Sequence, residues 1–310
     1  MPSYAFFQKK FVPLSEAKIG VMTHALHYGT ACFEGIRGNW NSDDNQLYIF
    51  RCKEHYKRLL NSCKLLKISL PYTIDELCQL TIDLVQKSEY REDVYIRPLA
   101  YKSSEVFGVR LHDLEDDFLI IVTTFGPYLD ITKGIRCSTS PWIRIDDNMI
   151  PPRGKISGIY VNNAFAKTNA IENGYAEAIM LTSDGYVSEG SGENIFLVID
   201  GQLVTPACYD RILIGITRNT VMELAKKELG IATIERHIDR SEMYLADECF
   251  LTGTAAHITP VVEVDHRKIG EGTIGSLTKK LQKLYFDIEC GKNKKYLHWC
   301  TPVYSDKGNS

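Results

Sequence analysis

Apolar positions along this chain fall into short runs of period two, mixed with longer runs of period 3.6, without the regular alternation of a dinucleotide-binding sheet. Residues 4–7 and 10–13 read as two short strands joined by Gln8 and Lys9, and 46–50 as a strand leading into a basic helix over 53–67. Thr73 predicts the next helix start, its hydroxyl capping while Glu76 reaches back; the buried stripe is Ile74, Leu77, Cys78, Thr81, Leu84 and Val85. Strands follow over 94–101 and 118–124, and alternation puts Tyr95 and Arg97 on one face of the first. The pattern breaks at Phe125, Gly126 and Pro127. That break makes 125–136 the expected loop between a small N-terminal domain, 1–124, and a larger C-terminal one, 137–310.

The second half opens with a strand near 135–140, then a helix over about 158–173 that Gly174 stops. Apolar runs at 178–181 and 195–198 enclose a turn-rich stretch, and Asp200-Gly201 marks a hairpin. A helix from about Ile216 to Gly230 and an N-cap at Asp239 with its reciprocal Glu242 come next. A strand over 248–252 stops at Gly253, and a last amphipathic helix covers about 274–288. Strands and helices so mixed predict two α+β domains, a mixed α/β chain.

Composition narrows the function. A net charge of −3 gives no field that would draw nucleic acid or an anionic membrane. No apolar run approaches the ~20 residues of a membrane helix. The first residues lack the basic and apolar regions of a secretory signal. Nine cysteines, scattered without a C-x-x-C pair, point to reduced thiols in a cytoplasmic protein and not to a disulfide frame or zinc site. His24 and His27 lack a third ligand at matching spacing, so no metal is expected there.

Candidate chemistry centres on the ten residues from Gly185 to Asn194. Three glycines allow close backbone approach, and two carboxylates there are costly unless something cationic needs them. Lys155, after the Pro151-Pro152 break, is a nucleophile candidate. Glu189 suits a pyridine nitrogen and Tyr160 a phenolate oxygen. Arg58, the helix start at Ile216-Thr217 and the Thr254 hydroxyl suit a phosphate. These are the parts needed for pyridoxal 5'-phosphate. Tyr95 with Arg97 forms an anion-binding pair, or else an edge-strand salt bridge that Pro98 would allow.

Six motifs now line up in order over nearly the whole chain. They are His27-Tyr28-Gly29, Phe33-Glu34-Gly35-Ile36-Arg37, Tyr95-Ile96-Arg97-Pro98, the Ser188–Asn194 run, Gly215-Ile216-Thr217-Arg218, and the run from Gly253 to Pro260. In these the chain resembles the branched-chain amino acid aminotransferases, class IV pyridoxal-phosphate enzymes of fold type IV. The resemblance implies two α/β domains joined by a loop with the cofactor between them. It also implies an obligate homodimer that in some members assembles further into a hexamer, a trimer of dimers.

The implied reaction moves an amino group between L-leucine, L-isoleucine or L-valine and 2-oxoglutarate, giving branched-chain 2-oxo acids and L-glutamate. Lys155 would carry the cofactor as a Schiff base and serve as acid–base. Glu189 would bind the ring nitrogen and Tyr160 the ring oxygen. Arg58, Ile216, Thr217 and Thr254 would hold the phosphate, with Leu213 against the ring. For substrate, the resemblance assigns apolar walls to Phe33, Phe125, Tyr128, Tyr160 and Ala256, and the glutamate carboxylate to Arg97. Tyr95 and the amides around Thr254, Ala255 and Ala256 would take the α-carboxylate. Phe107 and Val109 would reach in from a second subunit, with Tyr28 at the edge.

Some positions depart from the family pattern. Phe125 stands where tryptophan is frequent, Phe107 where methionine is common, Arg153-Gly154 where small residues are expected, and His257 in place of a common glutamate. The first two leave the side-chain preference open. A D-amino acid aminotransferase would share Lys155, Glu189 and Arg58, but Leu99 stands where that group pairs its arginine with histidine. An aminodeoxychorismate lyase fits Tyr95, Arg97 and the 254–256 turn less well. A phosphate-binding loop at Gly190-Ser191-Gly192 fails for want of a following Gly-Lys-Ser/Thr.

Overall fold

A computed structural model describes residues 3–126 and 129–304. The chain divides into two compact units: Met1–Gly126, Gly154–Gly158 and Asp287–Ser310 in the first, and Pro127–Arg153 with Ile159–Phe286 in the second.

The first unit is built on an antiparallel sheet of β1 (Tyr4–Phe7), β2 (Lys10–Pro13), β3 (Ala31–Phe33), β4 (Ile36–Asn41), β5 (Gln46–Phe50), β6 (Val94–Lys102) and β7 (Asp116–Thr124). The order is β5-β4-β6-β7-β1-β2, with β3 on β6 and a last strand, Cys300–Pro302, on the free edge of β5. Its helices are α1 (His24–Tyr28), α2 (Cys52–Leu65) and α3 (Ile74–Lys87). α3 starts where its cap predicts. The Thr73 backbone donates to Glu76 Oε2 at 2.7 Å and Glu76 N to Thr73 Oγ1 at 3.2 Å, while Leu77, Cys78, Thr81, Leu84 and Val85 are buried.

Two segments expected in the C-terminal domain belong to this first unit. Gln46 explains one. Its amide donates to Tyr304 O at 2.6 Å and its Oε1 accepts from Tyr304 N at 2.8 Å, so a polar side chain acts as one more rung of the sheet edge. The Arg51 guanidinium also lies 3.6 Å from the Trp299 ring centroid. The other segment, 154–158, pairs along β3: Phe33 N donates to Lys155 O at 3.0 Å and Cys32 bridges to Ile156.

In the second unit the strands are β8 (Ile135–Thr139), β9 (Glu177–Leu181), β10 (Val187–Gly190), β11 (Asn194–Ile199), β12 (Gln202–Thr205), β13 (Thr233–Glu235), β14 (Glu248–Gly253), β15 (His257–Val264) and β16 (Arg267–Lys268). They form one mixed sheet in the order β10-β9-β8-β15-β14-β11-β12-β13, with β16 on β15. β8 runs parallel to both β9 and β15, and β12 to β13. The helices are α4 (Tyr160–Glu172), α5 (Ile216–Leu229), α6 (Arg240–Leu245) and α7 (Ser276–Glu289). Residues 158–159, expected in α4, instead lie in a 3-10 turn ahead of it. Val187, Ile195, Leu197, Cys249, Leu251 and Val261 pack into one apolar core.

The two α+β units match the expected fold class. All nine cysteines are free thiols, seven of them buried. Among the described residues no helix is long and apolar enough to cross a membrane.

Candidate active site

In the first unit, Lys155 is held at its backbone. Lys155 N donates to Ser62 Oγ at 3.0 Å, its carbonyl takes Phe33 N, and its Nζ lies 5.0 Å from the Phe33 ring centroid. One residue beyond Phe33 is a fully buried carboxylate, Glu34. Arg58 of α2 grips it bidentately, Nε to Oε1 at 2.6 Å and Nη2 to Oε2 at 2.8 Å, and His55 Nδ1 lies 2.7 Å from Oε2. Burial alone would push this carboxyl up, but Arg58 and His55 together outweigh it and hold it at about 2. Burial lowers the proton affinity of His55. Arg58 thus presents its guanidinium from a fixed anchor, its side chain only 15% exposed.

Beside this cluster, β6 places Tyr95 and Arg97 on one face, as alternation predicts, with Arg97 Nη2 donating to Tyr95 Oη at 3.1 Å. The Arg97 guanidinium lies 4.4 Å from the Phe33 ring centroid. Phe125 stacks on Tyr95 at 4.7 Å with Arg37 5.4 Å from its own centroid. A Cβ on Gly35 would stand 2.0 Å from Tyr95 Oη, so a side chain there would displace the Tyr95 ring. The Arg97 Nε is buried and has no hydrogen-bond partner among the described residues.

Glu189 anchors the second unit. Its Oε1 lies 2.8 Å from Arg144 Nη2, and its Oε2 accepts from Asn194 Nδ2 at 3.1 Å and from Leu213 N at 3.0 Å. Arg144 is fixed in turn by Asn163 Oδ1 at 2.8 Å and the Arg211 carbonyl at 3.2 Å. Asn194 Nδ2 also donates to Leu213 O at 2.8 Å. A Cβ at Gly215 would stand 2.0 Å from Asn194 Oδ1, so any side chain there would force the Asn194 amide out of place. Gly215 is also the N-cap of α5, and it offers no side chain to occupy the amides at the helix start, where Ile216 and Thr217 follow. Tyr160 is the first residue of α4. Thr254, Ala255 and Ala256 form the three-residue loop between β14 and β15, closed by His257 with φ +53°. Thr259 Oγ1 holds that loop through the Ala256 carbonyl at 2.6 Å.

The expected residues therefore sort by unit. Lys155, Arg58, Phe33, Tyr95, Arg97 and Phe125 belong to the first; Tyr160, Glu189, Leu213, Ile216, Thr217, Thr254, Ala255 and Ala256 to the second. Tyr28, Phe107 and Val109 share one exposed corner of the first unit. There Gly108 N donates to Tyr28 Oη at 3.2 Å, and Phe107 and Val109 are 63% and 92% exposed. Tyr128 lies outside the described residues. His24 and His27 serve hydrogen bonds, to Thr30 and Gly108 and to the Val21 carbonyl.

Sequence reasoning did not assign Glu34, His55, Arg144, Asn163 or Asn194. Glu34 and Asn194 sit inside recognisable motifs and could have been found by asking what their charge or amide serves. Arg144 lies in a loop with no local signal, and only its meeting with Glu189 reveals it.

The chain is similar to known proteins over nearly its whole length. The family model described as amino-transferase class IV matches residues 31–264. A probable branched-chain-amino-acid aminotransferase of Aquifex aeolicus is 54% identical over 301 residues, covering 97% of each chain. A crystal structure of the branched-chain aminotransferase from Thermoproteus uzoniensis with norvaline superposes with a TM-score of 0.94 at 42% identity, covering 98% of this chain and 100% of that one. The branched-chain amino acid aminotransferase from Thermobaculum terrenum, in its PLP-bound holo-form, gives a TM-score of 0.93 at 39% identity, covering 98% and 99%. With three-quarters of its length inside the family model and relatives matched end to end, this chain belongs to the class IV aminotransferases, among the branched-chain-amino-acid aminotransferases.

Proposed function

We propose that this protein transfers the amino group of L-leucine, L-isoleucine or L-valine to 2-oxoglutarate in two half-reactions, with pyridoxal 5'-phosphate as the carrier. The donor set fits that cofactor. Arg58 and the side-chain-free start of α5 suit a phosphate, and a buried carboxylate with three donors on it suits a ring N–H. The cofactor supplies an electron-withdrawing ring and a carbonyl that takes up the amino group.

The remaining work falls to the chain. Lys155 Nζ would anchor the cofactor and move the proton, Tyr160 Oη would donate to the ring oxygen, and Glu189 would orient the ring through its nitrogen. Thr217 and Thr254 would join Arg58 and the Ile216 amide in holding the phosphate, and Leu213 would pack on the ring. For the substrate, Tyr95 and the amides of 254–256 would take the α-carboxylate, and Phe33, Phe125, Tyr128, Tyr160 and Ala256 would supply apolar walls.

Arg97 carries the substrate reading. A guanidinium set against Phe33 with one buried N–H left over suits a second carboxylate in an otherwise apolar lining. One pocket then accepts both an aliphatic chain and glutamate. Arg97→Ala should raise KM for glutamate and 2-oxoglutarate by roughly 10–100-fold, the worth of a charge-assisted hydrogen bond, and change that for leucine far less. Equal losses would refute the assignment.

The proposed assembly is a homodimer, with a trimer of dimers as its larger form. The exposure of Phe107 and Val109 supports their completing the pocket of a second copy, with Tyr28 at its rim. The proposed compartment is the cytoplasm, in keeping with nine free thiols.

A further inference from the structure

Behind the Glu189 turn lies a pair of carboxyls that the reaction does not use. Gly190 N donates to Glu193 O at 2.7 Å, closing the turn between β10 and β11. The Glu193 side chain folds back under it, taking Gly192 N on Oε2 at 3.1 Å. A Cβ at Gly190 would stand 2.8 Å from Glu193 Oε2, so a side chain there would push the Glu193 carboxyl away. The Glu193 carboxyl lies close to that of Glu177 of β9, and both side chains are buried. Two carboxyls in such contact require a proton on one of them.

The donors decide which one. Glu177 receives the Lys167 ammonium on Oε2 at 2.5 Å and Ala178 N on Oε1 at 2.7 Å, while Glu193 receives only Gly192 N among the described residues. Glu177 is therefore the carboxylate and Glu193 the acid.

We infer that Glu193 is a positioning residue: as a neutral acid donating to Glu177 it braces the turn that carries Glu189, and loss of its proton loosens that turn. The effect on the cofactor rests on the function proposed above; the bracing does not. An ionised Glu193 would set two buried anions against the single Lys167 ammonium. Burial first, and Glu177 second, push its carboxyl up to about 8, against the pull of Lys167. Cys137 of β8 also faces the pair; burial pushes its thiol far up, so it stays neutral across this range.

The test is the thermal midpoint of cofactor-free protein between pH 5 and 9, in wild type, Glu193→Gln and Glu177→Gln. The native acid holds a proton that the unfolded chain loses near 4.5, so stability falls as pH rises from there to about 8 and then levels. The amide introduced by Glu193→Gln keeps a donor and cannot ionise, so wild type should lose several degrees more than this variant across the window. Parallel slopes would overturn the inference. Should Glu193→Gln fail to fold, Glu177→Gln decides: a shallower slope than wild type supports the pair, and an unchanged one refutes it.

Pyridoxal phosphate titration then reads the bracing. Wild-type affinity should weaken severalfold more than that of Glu193→Gln from pH 6 to pH 9, and a constant ratio would sever Glu193 from the Glu189 turn. Because the midpoints need no cofactor, they test the carboxyl pair even if the proposed function fails.

Discussion

Glu34→Gln tests how the phosphate arginine is held. The substitution keeps the shape of the side chain and removes the charge that Arg58 grips at 2.6 and 2.8 Å in a fully buried position. Arg58 and His55 draw the Glu34 carboxyl from its ordinary 4.5 down to about 2. At about 1.4 kcal/mol for each tenfold change in proton affinity, this makes native-state stability above pH 5 about 3 kcal/mol larger. Breaking a buried pair by removing one partner gives a similar size, about 3–5 kcal/mol.

A depressed carboxyl contributes above its unfolded value and loses its contribution as pH falls through the folded one. The penalty of Glu34→Gln should therefore be full at pH 7 and about halved by pH 3. Urea unfolding of cofactor-free protein at the two pH values, at one protein concentration, measures it. A penalty under ~1 kcal/mol at pH 7, or one as large at pH 3 as at pH 7, would refute the reasoning. Pyridoxal phosphate affinity should fall at least ~10-fold in the same variant, because Arg58 loses the anchor that fixes its fork.

Three further outcomes follow from the same geometry. Lys155→Ala should cut turnover by ~10²–10⁴-fold or more, the worth of a positioned proton-transfer group, and abolish the absorbance of covalently held cofactor; an active, yellow variant would sink the assignment. Arg144→Gln removes the charge 2.8 Å from Glu189 and should weaken pyridoxal phosphate binding at least ~10-fold, measured by fluorescence titration; unchanged affinity would mean that Asn194 and Leu213 N suffice. Gly35→Ala sets a methyl 2.0 Å from Tyr95 Oη and should cost ~1–3 kcal/mol while raising KM for both amino donors; an unaltered midpoint and KM would show that Tyr95 moves aside freely.

Local chemistry is written legibly in this chain. The Thr73 and Asp239 capping boxes, the shared face of Tyr95 and Arg97, and the glycine cap at the start of α5 each depend on residues a few positions apart. Periodicity and spacing encode such relations directly, and the motifs around Phe33, Glu189 and Thr254 carried the family with them. What tertiary structure decided involves partners far apart in sequence. Arg144 meets Glu189, Glu34 meets Arg58, and Glu177 meets Glu193 only because strands and a helix bring them together. The closing segment 300–304 likewise joins the first unit through Gln46, more than 250 positions upstream, against the expectation that placed it in the second. No local pattern marks such a pair. A buried charge states that it needs a partner, and the fold alone determines which residue arrives to meet it.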